Sequence, residues 1–481
     1  MRGPPTRELP AGFALAPDPG TRRLEAGRDL LGGSPLKLLR LTGHGAVVVD
    51  RLLRGEPVPA DPRSRALARR LLDTGLAHPR PAGPGPYSPI DITVVIPVRD
   101  HAGPLRRLLD SPALAGVGGI VVVDDGSSVP VEAGPTWRVV RTEESRGPGA
   151  ARNRGTAEAE TPLVAFVDAD SSPGEGWLGA LLTHFEDPAV AAVAPRIRPG
   201  PARGGWGEGV AGYEAARSPL DLGPHEGPVR AGSRIPYVPT AALLVRREAL
   251  EAVGGFGENL RVGEDVDLVW RLAEGGWTVR YEPASTVLHD VRGTPRDWLL
   301  QRFTYGTSAA PLARRHPGAL APVRVSAWSA LAWTAGGLGH PVAGAAVAAV
   351  TTGALAGKLR PLAHPWREAL RLAGRGHLGA GRSLAEALRR AWWPLALVTA
   401  LCSRRARRAL LAAFLLPPLV DWLRRRPDVG PLRWLVLHLA DDLAYGAGVW
   451  VGCLRERTVT PLVPDLSSWP DRGPTAKLNS R

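Results

Sequence analysis

PLVAFVDAD, residues 162–170, is the stretch that decides the fold of this chain. The apolar run between Pro162 and Asp168 is typical of a parallel strand buried within a sheet. Asp168 and Asp170 follow it two positions apart, so in extended geometry their side chains point the same way. Two carboxylates on one side can hold a hard divalent cation together with a nucleotide ribose. An Asp-x-Asp pair is common by chance, but its place at a strand end favours a binding site.

Two more apolar, β-branched runs precede this one, Ile92–Pro97 and Gly119–Asp124. Helical stretches separate the three runs, at Pro104–Asp110 and Gly149–Ala159. Alternation of strand and helix predicts an α/β fold with an open, mostly parallel sheet and helices on both faces. Ligands of such sheets lie outside the carboxyl ends of the strands. Acidic residues follow the predicted strands at that edge: Asp100, Asp124, Asp125, Asp168 and Asp170.

Two loops near this edge have ligand-binding chemistry. In Asp124-Asp125-Gly126-Ser127 a carboxylate can accept a hydrogen bond from a base N–H or a ribose hydroxyl. For either Asp taken singly, a turn that starts a helix, with Asp as N-cap, is the more common explanation. The loop RGPGAARNRG, residues 146–155, opens a helix and can present N–H groups and Arg152 to a diphosphate. It is not a P-loop, and the first strand is not followed by G-x-G-x-x-G, which disfavours a dinucleotide site.

The segment GEDVDLVWRL, residues 263–272, starts an amphipathic helix. Acidic residues in a first helical turn are ordinary partners of the helix dipole. The functional alternative makes Asp265 a general base that takes a proton from an acceptor hydroxyl. The order of the motifs along the chain decides between the two.

Five spaced motifs, VVIPV, VDDGS, GPGAARNRG, FVDAD and GGF…GEDVDLVWRL, resemble those of the family 2 glycosyltransferases, from Ile90 to Arg302. The resemblance implies a GT-A fold and an inverting, metal-dependent sugar transfer. It implies that Glu264 and Asp265 are the catalytic pair of an "ED" motif. It also implies that Mg²⁺ or Mn²⁺ binds at Asp168, Asp170 and His289. The nucleotide sugar is then expected at Pro97, Asp100, Asp124, Asp125, Gly149, Arg152, Asn153, Asp168 and Arg302.

Two of these assignments have alternatives. A lone histidine such as His289, in TVLHDVR, is more often structural than a ligand. The segment QRFTY, which begins at Gln301, departs from the Q-x-x-R-W of processive polysaccharide synthases. Synthesis of long chains is therefore not expected.

A proline-rich linker follows the N-terminal region, since the segment Pro79–Pro89 contains five prolines. We expect four regions: the N-terminal module at residues 1–80, the linker at 81–89, the region with the five motifs at 90–316 and the C-terminal region at 317–481. Short strands are expected at Phe13–Leu15, Arg23–Ala26 and Asp29–Gly32, and helices at Gly43–Leu53 and Arg63–Thr74. Strands followed by two helices suit a small winged-helix module. The pattern resembles the PqqD-like peptide-binding modules, which hold a peptide at a sheet edge; a purely structural cap is the alternative.

The C-terminal third carries most of the net charge of +14. From Pro317 onward there are 22 Lys and Arg against 9 Asp and Glu, a balance of +13, which favours a membrane surface over nucleic acid as partner. Apolar stretches are separated by arginine clusters and are expected to be helical: Val325–Leu359 (as a hairpin split at Gly336-Gly337 and Pro341), Ala391–Cys402, Ala409–Leu423 and Leu432–Leu454. Short helices of this kind fit interfacial packing better than spanning; a soluble helical domain is the alternative.

The whole layout resembles the mycofactocin-system glycosyltransferases. That resemblance implies transfer of glucose from UDP-glucose to the peptide-derived redox cofactor premycofactocin, as a short β-1,4-glucan. It also implies a location at the cell membrane, with the catalytic domain on the cytoplasmic side, where UDP-sugars are available. Two alternatives stay open: a family 2 enzyme acting on a lipid or cell-wall glycan, and a non-catalytic, membrane-associated peptide-binding protein. The intact Asp168, Asp170 and Asp265 weigh against the second of these.

Overall fold

The computed structural model of the chain describes residues 3–24, 27–200, 208–292, 294–360 and 362–466. It divides into two compact units, Met1–Pro295 and Arg296–Arg481. The first unit contains both the N-terminal region and the sheet that carries the predicted site. The second unit is helical.

The N-terminal region of the first unit is built from five short strands and two helices. In chain order these are β1 (Ala14–Pro17), β2 (Arg22–Leu24), β3 (Asp29–Gly32), β4 (Lys37–Arg40), α1 (Gly43–Leu53), α2 (Pro62–Asp73) and β5 (Ala77–Arg80). Strands β2, β3 and β4 form one antiparallel sheet, and β1 pairs with β5. Both helices begin at side chains that cap a free backbone N–H, since Thr42 accepts from Gly45 and Asp61 from Ser64.

Most elements expected in this region are confirmed. The helix Gly43–Leu53 has the predicted bounds, and α2 differs from its prediction by one residue at each end. Strand β4 was not expected, β5 includes the first two residues of the Pro79–Pro89 segment, and residues 25 and 26 of the predicted strand Arg23–Ala26 lie outside the described residues. The winged-helix and PqqD-like assignments stay predictions.

The N-terminal region is attached to the rest of the first unit by a buried ion pair. Arg69 of α2 donates two hydrogen bonds of 2.8 Å to Asp187, and both side chains are less than 10% exposed. A planar guanidinium that meets a carboxylate through two bonds fixes orientation as well as distance. The small strands and helices are therefore held rigidly against the larger sheet.

The larger sheet has nine strands in the order β10-β14-β11-β13-β9-β6-β7-β8, with β12 beside β14. The strands are β6 (Ile92–Val98), β7 (Gly119–Asp125), β8 (Arg138–Thr142), β9 (Leu163–Val167), β10 (Ser171–Pro173), β11 (Val190–Pro199), β12 (Gly227–Pro228), β13 (Ala242–Arg246) and β14 (Thr278–His289). The helices between them are α3 (Ala102–Leu109), α4 (Pro148–Ala157), α5 (Trp177–Leu182), α6 (Glu208–Arg217), α7 (Arg247–Ala252) and α8 (Glu264–Glu274).

The three predicted strands and two predicted helices are confirmed, but the expectation of a mostly parallel sheet is wrong. Four strand pairs are parallel and four are antiparallel, so the sheet is mixed. The antiparallel part arises because β13 enters between β9 and β11 and runs against both. The apolar run of β13 indicates that the segment is a strand, but it does not indicate the direction of the strand. The direction depends on which end of the sheet the preceding chain reaches.

Close packing of α4 on the sheet depends on one glycine. A Cβ at Gly155 would lie 2.3 Å from Val95 Cγ1 of β6 and 3.0 Å from Val123 Cγ2 of β7. Only glycine lets the helix approach the strands this closely. As a result α4, which carries Arg152 and Asn153, lies directly over the strands that end in the acidic residues.

The second unit consists of eight helices in its described part. They are α9 (Pro295–Thr307), α10 (Ala309–Arg315), α11 (Ala327–Gly337), α12 (Pro341–Lys358), α13 (Pro365–Arg390), α14 (Trp393–Cys402), α15 (Arg404–Arg425) and α16 (Pro431–Arg455). The expected hairpin is confirmed as α11 and α12, whereas α13 was not expected. Among the described residues, no helix is both long and apolar enough to cross a bilayer.

Candidate active site

The centre of the candidate site is assembled by the pairing of β10 with β14. Strand β9 ends at Val167, and Asp168 donates its backbone N–H to Ala241 O at 3.1 Å. Ser171 then pairs with His289, while Asp290 N donates to Asp170 O at 2.9 Å. Residues more than a hundred positions apart are thereby brought side by side at the carboxyl end of β9.

Asp168, Asp170 and His289 form a group with the composition of a divalent-metal site. One ligand atom from each lies within 4.8 Å of the others, and within the described chain no other group of this kind is found. Two carboxylate oxygens and one imidazole nitrogen suit Mn²⁺ well and Mg²⁺ acceptably. The residues therefore fit the metal that the sequence predicts, and all three predicted ligands are brought together.

Hydrogen bonds hold the His289 ring in place. Its Nε2 lies 3.3 Å from Asp170 Oδ1 and its Nδ1 lies 3.0 Å from Asp290 O. Burial alone would raise the pKa of Asp170, but the bond with His289 and the nearby positive charge of Arg292 outweigh it and lower the pKa to about 2. The Asp170 carboxylate is therefore ionised, which is the form that binds a cation.

Arg152 connects this group to the start of α8. Its guanidinium is 4% exposed and donates to Asp168 Oδ1 at 2.8 Å and to Glu264 Oε1 at 2.7 Å. Glu264 is buried, and it lies 112 positions from Arg152 in the sequence. Because one guanidinium holds both carboxylates, the acidic pair at Asp168 and the first turn of α8 keep a fixed separation.

Asp265 follows Glu264 in the first turn of α8 and is the candidate base. Its carboxyl is crowded by protein atoms, although the residue keeps some exposed surface. This desolvation and the neighbouring Glu264 carboxylate raise the pKa of Asp265 to about 7, against the opposing hydrogen bond from Val266 N. A carboxylate with a pKa near neutrality can both accept and release a proton under ordinary conditions.

Asp124 and Asp125 are buried and already engaged by the surrounding loops. Asp124 accepts hydrogen bonds from Ser127 N at 2.8 Å and Val131 N at 3.1 Å, and from the Arg141 guanidinium. Asp125 accepts hydrogen bonds from three residues of the loop before α4, Ser145 Oγ, Arg146 N and Gly147 N. Both carboxylates shape the loops at the sheet edge, and their predicted contact with base and ribose stays a prediction.

Asp100 and Pro97 lie at the end of β6. Asp100 is a non-glycine residue with a φ of 56°, a conformation that costs energy and often occurs at functional sites. It is fixed there because Ser128 N donates to its Oδ1 at 2.7 Å, which lowers the pKa of the carboxyl. Pro97 pairs with Val123 of β7. The two residues therefore border the same edge as Asp124.

Asn153 and Gly149 of α4 position the segment before α8. The Asn153 amide donates to Phe256 O at 3.0 Å and accepts from Phe256 N at 2.8 Å, so it is bonded on both sides to one backbone residue. A Cβ at Gly149 would lie 3.2 Å from Gly257 O. Both residues were predicted to bind the nucleotide sugar; in the structure they contact the chain that leads to Asp265.

Arg292 is a site residue that the sequence did not single out. Its Nη1 lies 3.8 Å from Asp170 Oδ2, and the side chain is 37% exposed. The preceding Asp290 accepts a 2.6 Å bond from Arg107 of α3, which fixes the loop. A basic residue three positions after the candidate ligand His289 was a signal that could have found it.

Arg302, predicted to bind the nucleotide sugar, belongs to the second unit. Its guanidinium is 2% exposed, and its Nε lies 3.2 Å from Asp441 Oδ1. It also lies over the Trp298 ring at 5.4 Å. Within its own unit Arg302 is part of a buried ionic core, and its contact with the nucleotide sugar stays a prediction.

The chain is similar to several known proteins. The model of the glycosyl transferase family 2 matches residues 93–254. A pre-mycofactocin glycosyltransferase of Mycobacterium tuberculosis is 46% identical over 95% of this chain and 98% of its own length. The succinoglycan biosynthesis protein ExoU of Rhizobium meliloti is 32% identical over 39% of this chain and 58% of its own. The solved mannosyltransferase of Pyrobaculum calidifontis, with GDP-Man and Mn²⁺, is 17% identical with a TM-score of 0.40, over 78% of this chain and 89% of its own.

Proposed function

The chain belongs to the glycosyltransferase family 2 and, within it, to the pre-mycofactocin glycosyltransferases, and from this membership we propose the reaction that it catalyses. The enzyme transfers glucose from UDP-glucose to a peptide-derived redox cofactor, premycofactocin, with inversion at the anomeric carbon. Repeated transfer builds a short β-1,4-glucan. The proposed donor and acceptor are those that the family resemblance implies, whereas the proposed mechanism is argued from this chain's own residues.

The observation that supports the proposal most is the connection made by Arg152. Through it the acidic group that suits a metal and a diphosphate has a fixed separation from the helix turn that carries Asp265. A transferase that inverts configuration needs such a separation, because the base and the leaving group lie on opposite sides of the sugar carbon. Fixed positions of this kind supply much of the rate acceleration in enzymes.

In the proposed step Asp265 removes the proton of an acceptor hydroxyl as its oxygen attacks the anomeric carbon. The bond from that carbon to the UDP oxygen breaks, and the electron pair leaves with the diphosphate. The raised pKa of Asp265 makes its carboxylate a stronger base than an exposed aspartate, and general-base catalysis contributes about 10²–10⁴-fold. Arg292 lies where its positive charge can pair with the departing diphosphate.

A divalent cation held by Asp168, Asp170 and His289 would supply Lewis-acid stabilisation of the charge that grows on the diphosphate. Arg152 keeps the Asp168 carboxylate oriented for that role through its 2.8 Å bond. Glu264 shares the same guanidinium and, by its own negative charge, keeps the neighbouring Asp265 basic.

Mass spectrometry of a reaction with purified enzyme, UDP-glucose, Mn²⁺ and premycofactocin tests the proposal. We expect the acceptor mass to rise by hexose units, and the Asp168→Ala variant to leave it unchanged. Hexose addition only to a lipid or cell-wall glycan supplied in parallel would replace the proposed acceptor. Absence of transfer and of UDP-glucose hydrolysis by the intact enzyme would overturn the enzymatic proposal for this chain.

We further propose that the second unit lies against the cytoplasmic surface of the cell membrane. Helix α14 and the start of α15, residues 393–408, which we term the elbow, combine exposed apolar residues with positive charge. Four apolar side chains of α14 are 57–76% exposed, Leu395, Leu397, Val398 and Leu401. Exposed arginines follow at once, at 404, 405, 407 and 408, and within the described chain none of the four forms an ion pair. Apolar residues beside unpaired positive charge fit an anionic lipid surface.

The elbow also continues onto the α11–α12 hairpin. The turn of that hairpin contacts α15, since a Cβ at Gly339 would lie 3.3 Å from Arg405 Cδ. Leu338 and Val342, on either side of the turn, are 53% and 81% exposed. The exposed apolar residues of the elbow and of the hairpin turn therefore lie beside the same arginines. Several exposed apolar residues in one place, unlike a single exposed side chain, indicate an interaction surface.

A further inference from the structure

The first unit contains a cleft that is separate from the candidate active site. It has a volume of about 630 Å³ and lies between the β1–β5 pair of the N-terminal region and the larger sheet. Residues 17–19 and 78–81 form one wall, and residues of α5, β11 and β14 form the other. Small-molecule sites are typically 300–1,000 Å³ in volume, so a ligand of a few hundred daltons fits. The cleft exists only because the N-terminal region packs on the sheet.

The walls of the cleft are unusual in their chemistry. Six proline rings line it: Pro17, Pro19, Pro79, Pro81, Pro224 and Pro283. Proline has no backbone N–H, so such walls offer apolar C–H surface and carbonyl oxygens but few donors. A ligand that matches them is apolar and brings its own hydrogen-bond donors.

The charged side chains of the cleft are already paired. Arg80 meets Glu226 through bonds of 2.6 and 3.0 Å, and Arg196 meets Asp221 through bonds of 2.7 and 2.8 Å. Because both lining arginines are neutralised by carboxylates, a phosphate or a nucleotide would find no matching guanidinium here. The cleft therefore does not suit the sugar donor.

His184 is a buried histidine in the wall of the cleft. Its ring is buried, its Nε2 bonds to Glu282 Oε2 at 2.9 Å, and among the described residues its Nδ1 has no hydrogen-bond partner. Burial lowers the pKa of His184, so the ring is neutral and Nδ1 is an acceptor when Nε2 donates to the carboxylate. Because Nδ1 is itself buried, His184 adds an uncharged surface to the cleft and no acceptor that a ligand can reach.

The cleft and the active site share two strands. Arg196 of β11 lines the cleft, and Pro199 of the same strand pairs with His289. Three residues of strand correspond to about 10 Å. The pairing of β11 with β14 shifts between these points, so that residues 283–285 of β14 have no partner on β11 and bulge beside the cleft.

We infer that this cleft binds the peptide-derived end of the acceptor, through apolar contacts with the proline walls and through N–H groups that the acceptor donates. The inference rests on the proposed function, because it takes the acceptor to be peptide-derived. The sugar is transferred elsewhere, at Asp265, so the cleft contributes to acceptor affinity and not to the chemical step. It gives the N-terminal region a role in an enzyme whose catalytic residues all lie outside that region.

Variants that fill the cleft test the inference. Ala180 and Ala284 line it without taking part in its ion pairs, so Ala180→Trp and Ala284→Trp occupy the space directly. Ala157→Trp, at the exposed end of α4 and outside the cleft, is the matched control. We expect each filling variant to raise the KM for premycofactocin at least tenfold with kcat within twofold of wild type. The control should change neither constant.

Two further measurements separate the possible outcomes. UDP-glucose hydrolysis without acceptor should stay near the wild-type rate in the filling variants; a fall in parallel with transfer indicates damage to the fold and overturns the inference for that variant. Calorimetric titration of premycofactocin without donor tests the cleft even if no transfer occurs, because binding should still weaken in both variants. An unchanged acceptor affinity in both variants would show that the cleft does not bind the peptide-derived end of the acceptor.

Discussion

The two units of this chain treat their apolar side chains in opposite ways. Of the thirty large apolar residues that are exposed in the described chain, five lie before Pro295 and twenty-five after it. The first unit buries its apolar residues under a nine-stranded sheet and arranges charged residues at the sheet edge. The second unit, although shorter, leaves leucines, valines and tryptophans on its surface.

Both units bury ionic residues, so burial of charge does not distinguish them, whereas the exposure of apolar side chains does. In the first unit Arg152, Asp168 and Glu264 form a connected group at the candidate site. In the second, Arg389 bonds to Asp442 at 2.9 Å, deep among the helices. In the second unit the buried ionic residues accompany a surface with many large apolar side chains, and exposed apolar patches mark protein–protein or membrane interaction sites. This difference supports the proposal that the second unit lies against a membrane.

The largest effect expected from this comparison is on catalysis in the first unit alone. Asp265→Asn removes the base while keeping size and polarity, so glucosyl transfer should fall about 10²–10⁴-fold. Binding of UDP, measured by calorimetry with Mn²⁺, should stay near wild type because Asp265 is not a metal ligand. Glu274→Gln, at the far end of the same helix, is the control. A variant that retains full transfer activity would exclude Asp265 as the base.

A somewhat smaller effect is expected at the residue that connects the site. Arg152→Lys keeps the charge but cannot hold Asp168 and Glu264 together as a planar fork does. A charge-assisted hydrogen bond contributes about 1.5–3 kcal/mol, so transfer should fall about 10–100-fold. Arg154→Lys, two residues along α4 and exposed, should have little effect. Equal activity of both variants would mean that the separation between the acidic group and α8 does not limit the rate.

The proposed membrane contact of the second unit is tested at the arginines of the elbow. Removing two charges with Arg404→Gln and Arg405→Gln should weaken binding to vesicles that contain phosphatidylglycerol. A basic residue near an anionic surface contributes about 1 kcal/mol, so the pair should lower the partition coefficient about 30-fold. Arg51→Gln with Arg54→Gln is the control, since those arginines are already paired in the first unit.

Sedimentation with vesicles of phosphatidylcholine alone completes that experiment. The wild-type protein should bind these vesicles more weakly, and the elbow variant should differ little from it there. Equal loss of binding in the Arg51 and Arg54 variant would assign the effect to net charge and not to the elbow. Wild-type protein that stays in the supernatant with both vesicle types would contradict the membrane proposal and leave the twenty-five exposed residues to another partner.

Local pattern was sufficient for much of the fold. The apolar runs of β6, β7 and β9 and the proline and glycine breaks of the α11–α12 hairpin are properties of a few neighbouring residues, and each was predicted. The long strand β14 was missed because charged residues and a proline interrupt its pattern. The direction of β13 depends on distant chain, so the mixed character of the sheet was not predictable from the runs alone.

The candidate site divides in the same way. Asp168 and Asp170 are adjacent to a strand end and were found from that position, and the order of motifs pointed to His289 and Asp265. The bond from Arg152 to Glu264 joins residues 112 positions apart, and nothing in the local sequence specifies it. Asp124 accepts the bond from Ser127 N that a turn predicts, but no described helix begins there, so the N-cap interpretation is wrong. Asp125 instead accepts bonds from residues 145–147, and nothing in the local sequence specifies those bonds.

The last expected effect is the most specific to the environment that the first unit creates. An aspartate normally has a pKa near 3.8, but burial and Glu264 raise that of Asp265 to about 7. The base acts when deprotonated, so transfer should increase as pH rises through 7 and fall about tenfold for each unit below it. The pH profile of kcat/KM between pH 5 and 8 measures this limb. Glu264→Gln removes one cause of the shift, so its limb should move to lower pH, whereas a rate that is flat from pH 5 to 8 would mean that the carboxyl of Asp265 is not the group that takes the proton.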